Sequence, residues 1–359
     1  MKSHGQGPKG PGKVNMVLWL CTGLCALVFG LTLPRWRCLP VLGMMLLLPP
    51  VPVWQRLLNR VLRKEWLRPV LLVVFAVTFV FTGIMGRIGW DRLKPRVKMP
   101  EGSSFEIRFL DVGQGDATLV LCDGHAMLID GGSSSKSGVL YTYMKNLSVS
   151  RLDYVVCTHP HDDHIGGLSG ALNYARADRA FCNVAQSDLP QFYYFTKYLT
   201  PDVQVEVPLL NKEYSLGSAR FTFLAPSQVE EDPNDMCLVM RITYGNTSFL
   251  LMADAGIREE QTLLEAGADL KSDVLRIGHH GSAGSTSEEF LQAVSPQAAV
   301  ISVGRTNEYG HPSRRVVNLL EQYAIPTYMT GSSGDIVCVS DGNDLTFSTE
   351  WKSSQTGEE

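Results

Sequence analysis

His159-Pro160-His161-Asp162-Asp163-His164-Ile165-Gly166-Gly167 is the stretch on which the reading of this 359-residue chain turns. It follows a short apolar run, Tyr154–Cys157, and precedes an apolar, helix-like one. Neutral imidazole and carboxylate are ligands that suit zinc, manganese or iron. His159 and His161 are two apart, so an extended segment puts them on the same side. Asp163 and His164 then turn into the opening helix, where they can serve a second metal. The plain alternative is a polar loop rich in His. Three of the chain's eight histidines within six positions argue against it.

Around this stretch, short β-branched and aliphatic runs alternate with turns. Strands are expected at Phe105–Leu110, Thr118–Leu121, Ala126–Ile129, Tyr154–Cys157, Ala219–Leu224, Leu238–Thr243, Ser248–Met252, Val274–Ile277 and Ala298–Val303, each bounded by Gly, Asp or Asn. Helices are expected at Gly138–Asn146, Ile165–Ala175, Glu259–Ala266, Ser287–Ala293 and Arg314–Tyr323. Strand-rich halves with helices among them fit a layered α/β arrangement.

Four further strings narrow the reading: Phe109–Asp116 (FLDVGQGD), Leu128–Gly132 (LIDGG), His279–Ser282 (HHGS) and Tyr309–Ser313 (YGHPS). HxHxDH followed by GG resembles the metallo-β-lactamase superfamily. The whole set, in this order, resembles the extracellular nuclease-like domain of the ComEC competence-protein family, over residues 105 to 347. The resemblance implies an α/β fold, the metallo-β-lactamase αββα sandwich. It also implies one or two divalent metal ions, zinc or manganese, held by His159, His161, Asp163, His164 and Asp254.

Asp254 ends the apolar run Phe249–Ala255, where the superfamily places a carboxylate that bridges two metals; a turn or helix-cap aspartate is the plainer alternative. Most relatives have Gly before it, whereas this chain has Ala253, which is tolerable unless the backbone there needs a positive φ. By the same analogy, one or two of His279, His280 and His311 complete the second metal's shell, with His280 and His311 taken as the ligands. The proton donor is His279 or His280. Asp163 is counted among the catalytic residues as well as the ligands.

This sequence departs from the superfamily pattern between residues 165 and 253, which contain no His. Asn234 or Asp235 stands where ComEC-like sequences have an Asn-rich motif with a Ser, and Cys237 occupies the Ser position. Softer occupancy at one metal, favouring manganese, is the resulting hypothesis; stoichiometric zinc with no gain from manganese would remove it. Asp130 is expected to brace the ligand loop by bonding to backbone. Asp116 and Gln114 sit in a glycine turn, through Gly113 and Gly115, that serves either as an anion-binding loop or as an ordinary turn. Ser282 and Ser285 either contact a phosphate or, on the cheaper reading, serve as an N-cap for the helix Ser287–Ala293.

Charge divides the chain. Residues 1–100 hold fifteen Lys and Arg against Glu65 and Asp91, while the remainder is acidic by 17 charges. Val14–Leu33 and Pro69–Gly86 are apolar runs of about bilayer-spanning length. Leu39–Trp54, with Pro49, Pro50 and Pro52, is the doubtful third. The first run, behind Lys2, Lys9 and Lys13, also has the layout of a signal peptide, but it is longer than a usual signal core and further apolar runs follow. Residues 1–93 are therefore expected to form a membrane anchor of two or three transmembrane helices. A linker follows at 94–104, the hydrolase domain at 105–350 and a polar tail at 351–359. The basic linker Gln55–Arg68 and the basic N-terminus face the cytoplasm under the positive-inside rule, so three spans put the domain outside the cell. The basic stretch Arg87–Lys98 weighs against that side. Eight scattered cysteines without a CxxC pair imply neither disulfides nor a zinc-thiolate site.

A site of this kind serves phosphodiester, thioester, lactone or β-lactam hydrolysis alike, so fold does not fix substrate. The ComEC resemblance implies phosphodiester hydrolysis of DNA outside the cell, by a domain anchored in the membrane lipid bilayer. The acidic domain argues against tight DNA binding, with Arg305, Arg314 and Arg315 beside His311 as the local exceptions. The aromatics of Phe192–Tyr198 either stack bases or pack as core or lid. A small envelope phosphodiester or other ester is the alternative substrate, and a non-catalytic, metal-binding DNA receptor or assembly component the alternative role. Two or three spans do not make a whole DNA channel, so a separate membrane channel protein is the expected partner of a competence role; otherwise the chain is a stand-alone surface hydrolase.

Overall fold

The computed structural model describes Met99 and residues 104–226 and 236–351. The apolar runs, Asn234, Asp235, most of the linker and all of the tail beyond Trp351 lie outside these residues. Among the described residues no helix is long and apolar enough to cross a membrane.

Strands β1 (Phe105–Phe109), β2 (Thr118–Cys122), β3 (His125–Ile129), β4 (Arg151–Cys157), β5 (Arg176–Cys182) and β6 (Val205–Glu206) belong to one sheet. Strands β7 (Tyr214–Leu216), β8 (Ala219–Ala225), β9 (Val239–Tyr244), β10 (Thr247–Leu251), β11 (Val274–Arg276), β12 (Ala298–Ile301) and β13 (Thr327–Met329) form a second. The chain then returns to the first sheet with β14 (Ile336–Ser340) and β15 (Leu345–Thr349), giving the order β15-β14-β1-β2-β3-β4-β5-β6. The helices are α1 (Ser137–Asn146), α2 (Asp162–Ile165), α3 (Leu168–Tyr174), α4 (Pro190–Tyr198), α5 (Ile257–Glu265), α6 (Glu288–Val294), α7 (Arg314–Gln322) and α8 (Thr330–Ser333).

Strand periodicity builds the layers. Phe105, Ile107 and Phe109 of β1 join Val120 and Cys122 of β2, Phe221 and Phe223 of β8, and Phe249 and Leu251 of β10 in one core between the sheets. The alternate residues Leu119 and Leu121 face the other way, into a core with Leu140, Met144, Leu168, Ala171 and Phe195 of the helices. Leu250 and Leu275 do the same on the second sheet against Leu263, Phe290, Val316 and Leu320. A sheet covered on both faces must be apolar on both, which is why these strands read as near-continuous runs rather than as alternation. The result is the expected αββα sandwich.

Several elements differ from expectation. The helix expected over Ile165–Ala175 is two helices, α2 and α3, separated at Gly166–Gly167. A Cβ on Gly167 would lie 1.9 Å from the Gly131 carbonyl oxygen, so this glycine pair and the one after β3 pack backbone against backbone. The cap of α6 is Ser287, whose side chain accepts from the Phe290 N–H. Ser285 donates instead to the Gly278 carbonyl, so neither it nor Ser282 is the cap. The aromatic stretch is mostly helix α4, with Phe192 and Phe195 buried and Tyr193, Tyr194 and Tyr198 exposed.

Candidate metal centre

The ligand-bearing segments leave the ends of β3, β4, β10, β11 and β12, as side chains carried on loops over a rigid scaffold commonly do. His159 follows β4 and is fully buried; its Nε2 lies 3.0 Å from Nδ1 of His161, which precedes α2. His164, inside α2, is also fully buried, and its ring centre is 4.1 Å from that of His159. Asp130, at the end of β3, accepts the Thr158 N–H at 2.8 Å and the Thr158 hydroxyl at 2.7 Å. Its Oδ2 also meets His164 Nδ1 at 2.9 Å. Asp130 thus braces the ligand loop as expected, and in addition it aims the free Nε2 of His164 at Asp254 Oδ1, 3.2 Å away. Supports of this kind fix tautomer and ring orientation.

Asp254 follows β10 and is buried. Besides His164, its Oδ1 faces His280 Nε2 at 3.6 Å, and its Oδ2 faces His279 Nε2 at 3.7 Å. His280 Nδ1 donates to the Ser302 carbonyl at 2.9 Å, which leaves Nε2 to point at Asp163 Oδ2, 3.4 Å away. The ligand atoms of Asp163, His164, Asp254 and His280 all lie within 4.8 Å of one another. His159 and His161 stand beside this group, and His311 lies across it, its ring 5.7 Å from His279 and 6.4 Å from His280.

These residues fit a cation. His164 Nε2, His280 Nε2 and Asp254 Oδ1 are buried and lack a hydrogen-bond partner. Buried polar atoms without partners are costly, and converging nitrogen and carboxylate donors are what a divalent ion coordinates. Electrostatics agree. Burial, with help from His164, holds His159 well below the usual imidazole value and keeps its lone pair free. Burial opposes charge on His164, but Asp254 and Asp130 outweigh it and raise its pKa well above normal. Burial likewise works against charge on Asp254 and Asp163, yet the facing histidines dominate: Asp254 falls well below the carboxylate range and Asp163 to about 2.

Four of the ten non-glycine residues with positive φ among the described residues lie at the site, Asp130 at +57° being one. Ala253 has φ +47°, His279 +46° and His280 +53°. Left-handed conformations are uncommon for residues other than glycine and cluster at functional sites. The reservation about Ala253 therefore applies: its backbone does need a positive φ. The His279 N–H donates to the Ala253 carbonyl at 2.8 Å, coupling the two strained turns.

Three supporting residues were not singled out from sequence. Arg276, ending β11, is buried against Asp116, and burial pulls its guanidinium down to about 9. Asn307 clamps His311, donating to its carbonyl at 2.7 Å and accepting its N–H at 3.0 Å. Thr158 links Asp130 to the ligand loop. The available signals were an Arg interrupting an apolar strand just before HHGS, and a Thr immediately before the decisive string. Asp116 proves to be a buried ion-pair partner within the site rather than an ordinary turn residue. Gly115 is held there because a Cβ would lie 2.3 Å from the Asp163 carbonyl oxygen. Cys237 is buried and directs its thiol to the Met252 carbonyl.

Fold and site together define a class. Residues 110–305 match the metallo-beta-lactamase superfamily, and the chain belongs to it as a metal-dependent hydrolase domain with a His/Asp cluster able to bind metal ions. Among its relatives are competence proteins of the ComEC type. ComE operon protein 3 of Bacillus subtilis is 28% identical over 254 residues, covering 65% of this chain and 33% of that protein. Recombination protein 2 of Haemophilus influenzae is 31% identical over 240 residues, covering 65% and 28%. Competence protein ComA of Neisseria gonorrhoeae is 30% identical over 228 residues, covering 62% and 30%. The matched stretch thus spans about a third of each relative. A solved metallo-beta-lactamase fold protein, YhfI from Bacillus subtilis, aligns over 64% of this chain and 98% of its own at 14% identity, with a TM-score of 0.46.

Proposed function

We propose that this chain is a membrane-anchored, metal-dependent phosphodiesterase that cleaves DNA outside the cell. The observation that carries the reading is the convergence of His164, His280, Asp163 and Asp254 on one point, with His164 Nε2, His280 Nε2 and Asp254 Oδ1 lacking a hydrogen-bond partner. The names of the competence and recombination relatives supply the substrate class.

His159, His161, Asp163, His164, Asp254 and His280 would hold divalent metal, which when bound would acidify a water and neutralise charge on phosphoryl oxygens. The protein's part is to orient the donors. His159 is neutral, and Nε2 of His164 and of His280 is freed by the bonds that Asp130 and Ser302 make to Nδ1. His280 is fully enclosed and committed to Ser302, so it serves as a ligand. His279, with its side chain 31% exposed, is the histidine of the cluster that can pass a proton from Nε2 to a leaving alkoxide. His311 sits beside His279, where it contributes a ligand or a phosphate contact.

The test uses purified full-length chain with manganese, zinc or no metal. Single- and double-stranded DNA are assayed beside bis-p-nitrophenyl phosphate, with His161→Ala as the blank. Metal-dependent DNA cleavage that falls at least about a thousandfold in the variant supports the reading. Cleavage of the small diester alone replaces it with an envelope phosphodiesterase. No cleavage by metal-loaded protein overturns phosphodiester chemistry. A reporter fused after Glu359 tests the side of the membrane; cytoplasmic activity would overturn the extracellular assignment.

A further inference from the structure

Beside the metal cluster lies a cleft of about 660 Å³, within the roughly 300–1,000 Å³ of small-ligand sites. Three loops wall it: residues 111–114 behind β1, residues 133–136 ahead of α1, and residues 304–309 behind β12. The Gly304 N–H donates to Gln114 Oε1 at 3.2 Å, tying the first loop to the third. Asp163 lines the cleft and also belongs to the ligand cluster, so the two spaces are continuous.

Two cations line this cleft, Lys136 and Arg305. Among the described residues neither has an ion-pair partner. Several arginines of this acidic domain are taken up by carboxylates instead. Arg151 pairs with Asp153 and Asp178, Arg176 with Asp202, Arg179 with Glu206 and Arg241 with Asp269. Three carboxylates also line the cleft, and each has partners other than these two cations. Asp111 Oδ1 accepts the Gly113 N–H at 3.0 Å, Asp162 accepts from the Ser134 N–H and hydroxyl, and Asp163 faces His280. Tyr309, also lining the cleft, is 72% exposed, with its ring stacked on His311 at 5.8 Å and 24°. An aromatic ring held in water beside uncommitted cations is the pattern of single-strand nucleic-acid sites, in which bases stack on aromatics and cations follow the backbone.

We propose that this cleft is the subsite for the nucleotide flanking the scissile bond, with Lys136 and Arg305 on its phosphate and Tyr309 against its base. The inference rests on the phosphodiesterase reading and names the substrate class, a strand of nucleotides rather than an isolated diester.

Fluorescence anisotropy of a short labelled oligothymidylate, read on full-length chain in EDTA over a range of salt, tests binding apart from cleavage. Near-UV circular dichroism on each variant confirms the fold. Lys136→Ala with Arg305→Ala is expected to weaken binding at least about tenfold, and to make the salt slope shallower by roughly 1.4, for two contacts at about 0.7 each. Tyr309→Ala is expected to weaken binding about tenfold with the slope unchanged. Lys136→Arg with Arg305→Lys is expected to keep the slope. Absence of binding by the wild type, or an unchanged affinity and slope in the double alanine variant, overturns the subsite. Wild-type binding that depends on Lys136 and Arg305, in a chain that cleaves no DNA, keeps the subsite and overturns the nuclease.

Discussion

Arg276 and Asp116 meet in the interior of the sandwich, 2% and 4% exposed, one ending β11 of the second sheet and the other in the glycine loop behind β1 of the first. Arg276 also donates through Nη1 to the carbonyl of Ala253. The Asp116 carboxylate lies 3.6 Å from His280 Nδ1 and 3.7 Å from His164 Nδ1. One ion pair thus joins both sheets, the strained turn before Asp254 and two of the ligand histidines. Removing one partner of a buried pair strands the other charge and costs about 3–5 kcal/mol. Arg276→Met should lose about that much stability in urea unfolding, and Arg276→Met with Asp116→Asn should recover much of it. A single variant within about 1 kcal/mol of wild type would show that the pair bears no such load.

Ala253 yields a prediction of opposite sign. Its φ of +47° suits glycine, and relieving the clash of a Cβ there is worth about 1 kcal/mol. Ala253→Gly should raise the unfolding midpoint modestly and leave metal affinity unchanged. A less stable variant would mean that the Ala253 methyl, which is buried among Val239, Leu250 and Met252, contributes more by packing than it costs in strain.

Asp130 touches no substrate, yet it positions both Thr158 and His164. Asp130→Asn should lower metal affinity by roughly 10–100-fold, measured by competition with a chromophoric chelator. An unchanged affinity would remove Asp130 from the support of the site.

Protons should compete with metal. His164 has a raised pKa in the metal-free fold, so its ion pairs with Asp254 and Asp130 stabilise fully below the unfolded value of about 6.5 and are lost as pH rises through the higher folded value. Asp163, lowered to about 2, works in the opposite sense; its contribution is present above the usual carboxylate value and lost as pH falls towards about 2. Metal must displace the His164 proton, so affinity should rise with pH from about 6 upward and binding should release protons. Calorimetry in buffers of different ionisation enthalpy counts them. Zero release near neutral pH would contradict a charged His164.

Much of this was legible in the sequence because local patterns carry it. HPHDDH, with LIDGG and HHGS, pointed to the fold, and nine of the strands were evident as apolar runs with turn residues at their ends. Strand β5 was not, since Arg176, Asp178 and Arg179 interrupt it; their partners Asp202, Asp153-linked Arg151 and Glu206 come from neighbouring strands and loops. Strands β14 and β15 went unread because their half-buried pattern lies beyond the last motif. Within the site, the ligand histidines were visible as residue types, but His279 and His280 could not be told apart. The Ser302 carbonyl on the neighbouring strand end separates them, and no spacing encodes it. The Arg276–Asp116 pair links positions 160 residues apart in sequence, which only the folded chain brings together.

If His164, His280, Asp163 and Asp254 hold metal, the metal content per chain will report it. Full-length wild type and Asp254→Asn would be loaded with manganese or zinc, freed of excess ion and analysed by inductively coupled plasma mass spectrometry. One or two ions per wild-type chain are expected, with at least one lost from the variant. Wild type that retains no ion, or a variant that retains as much as wild type, would contradict metal binding by these residues.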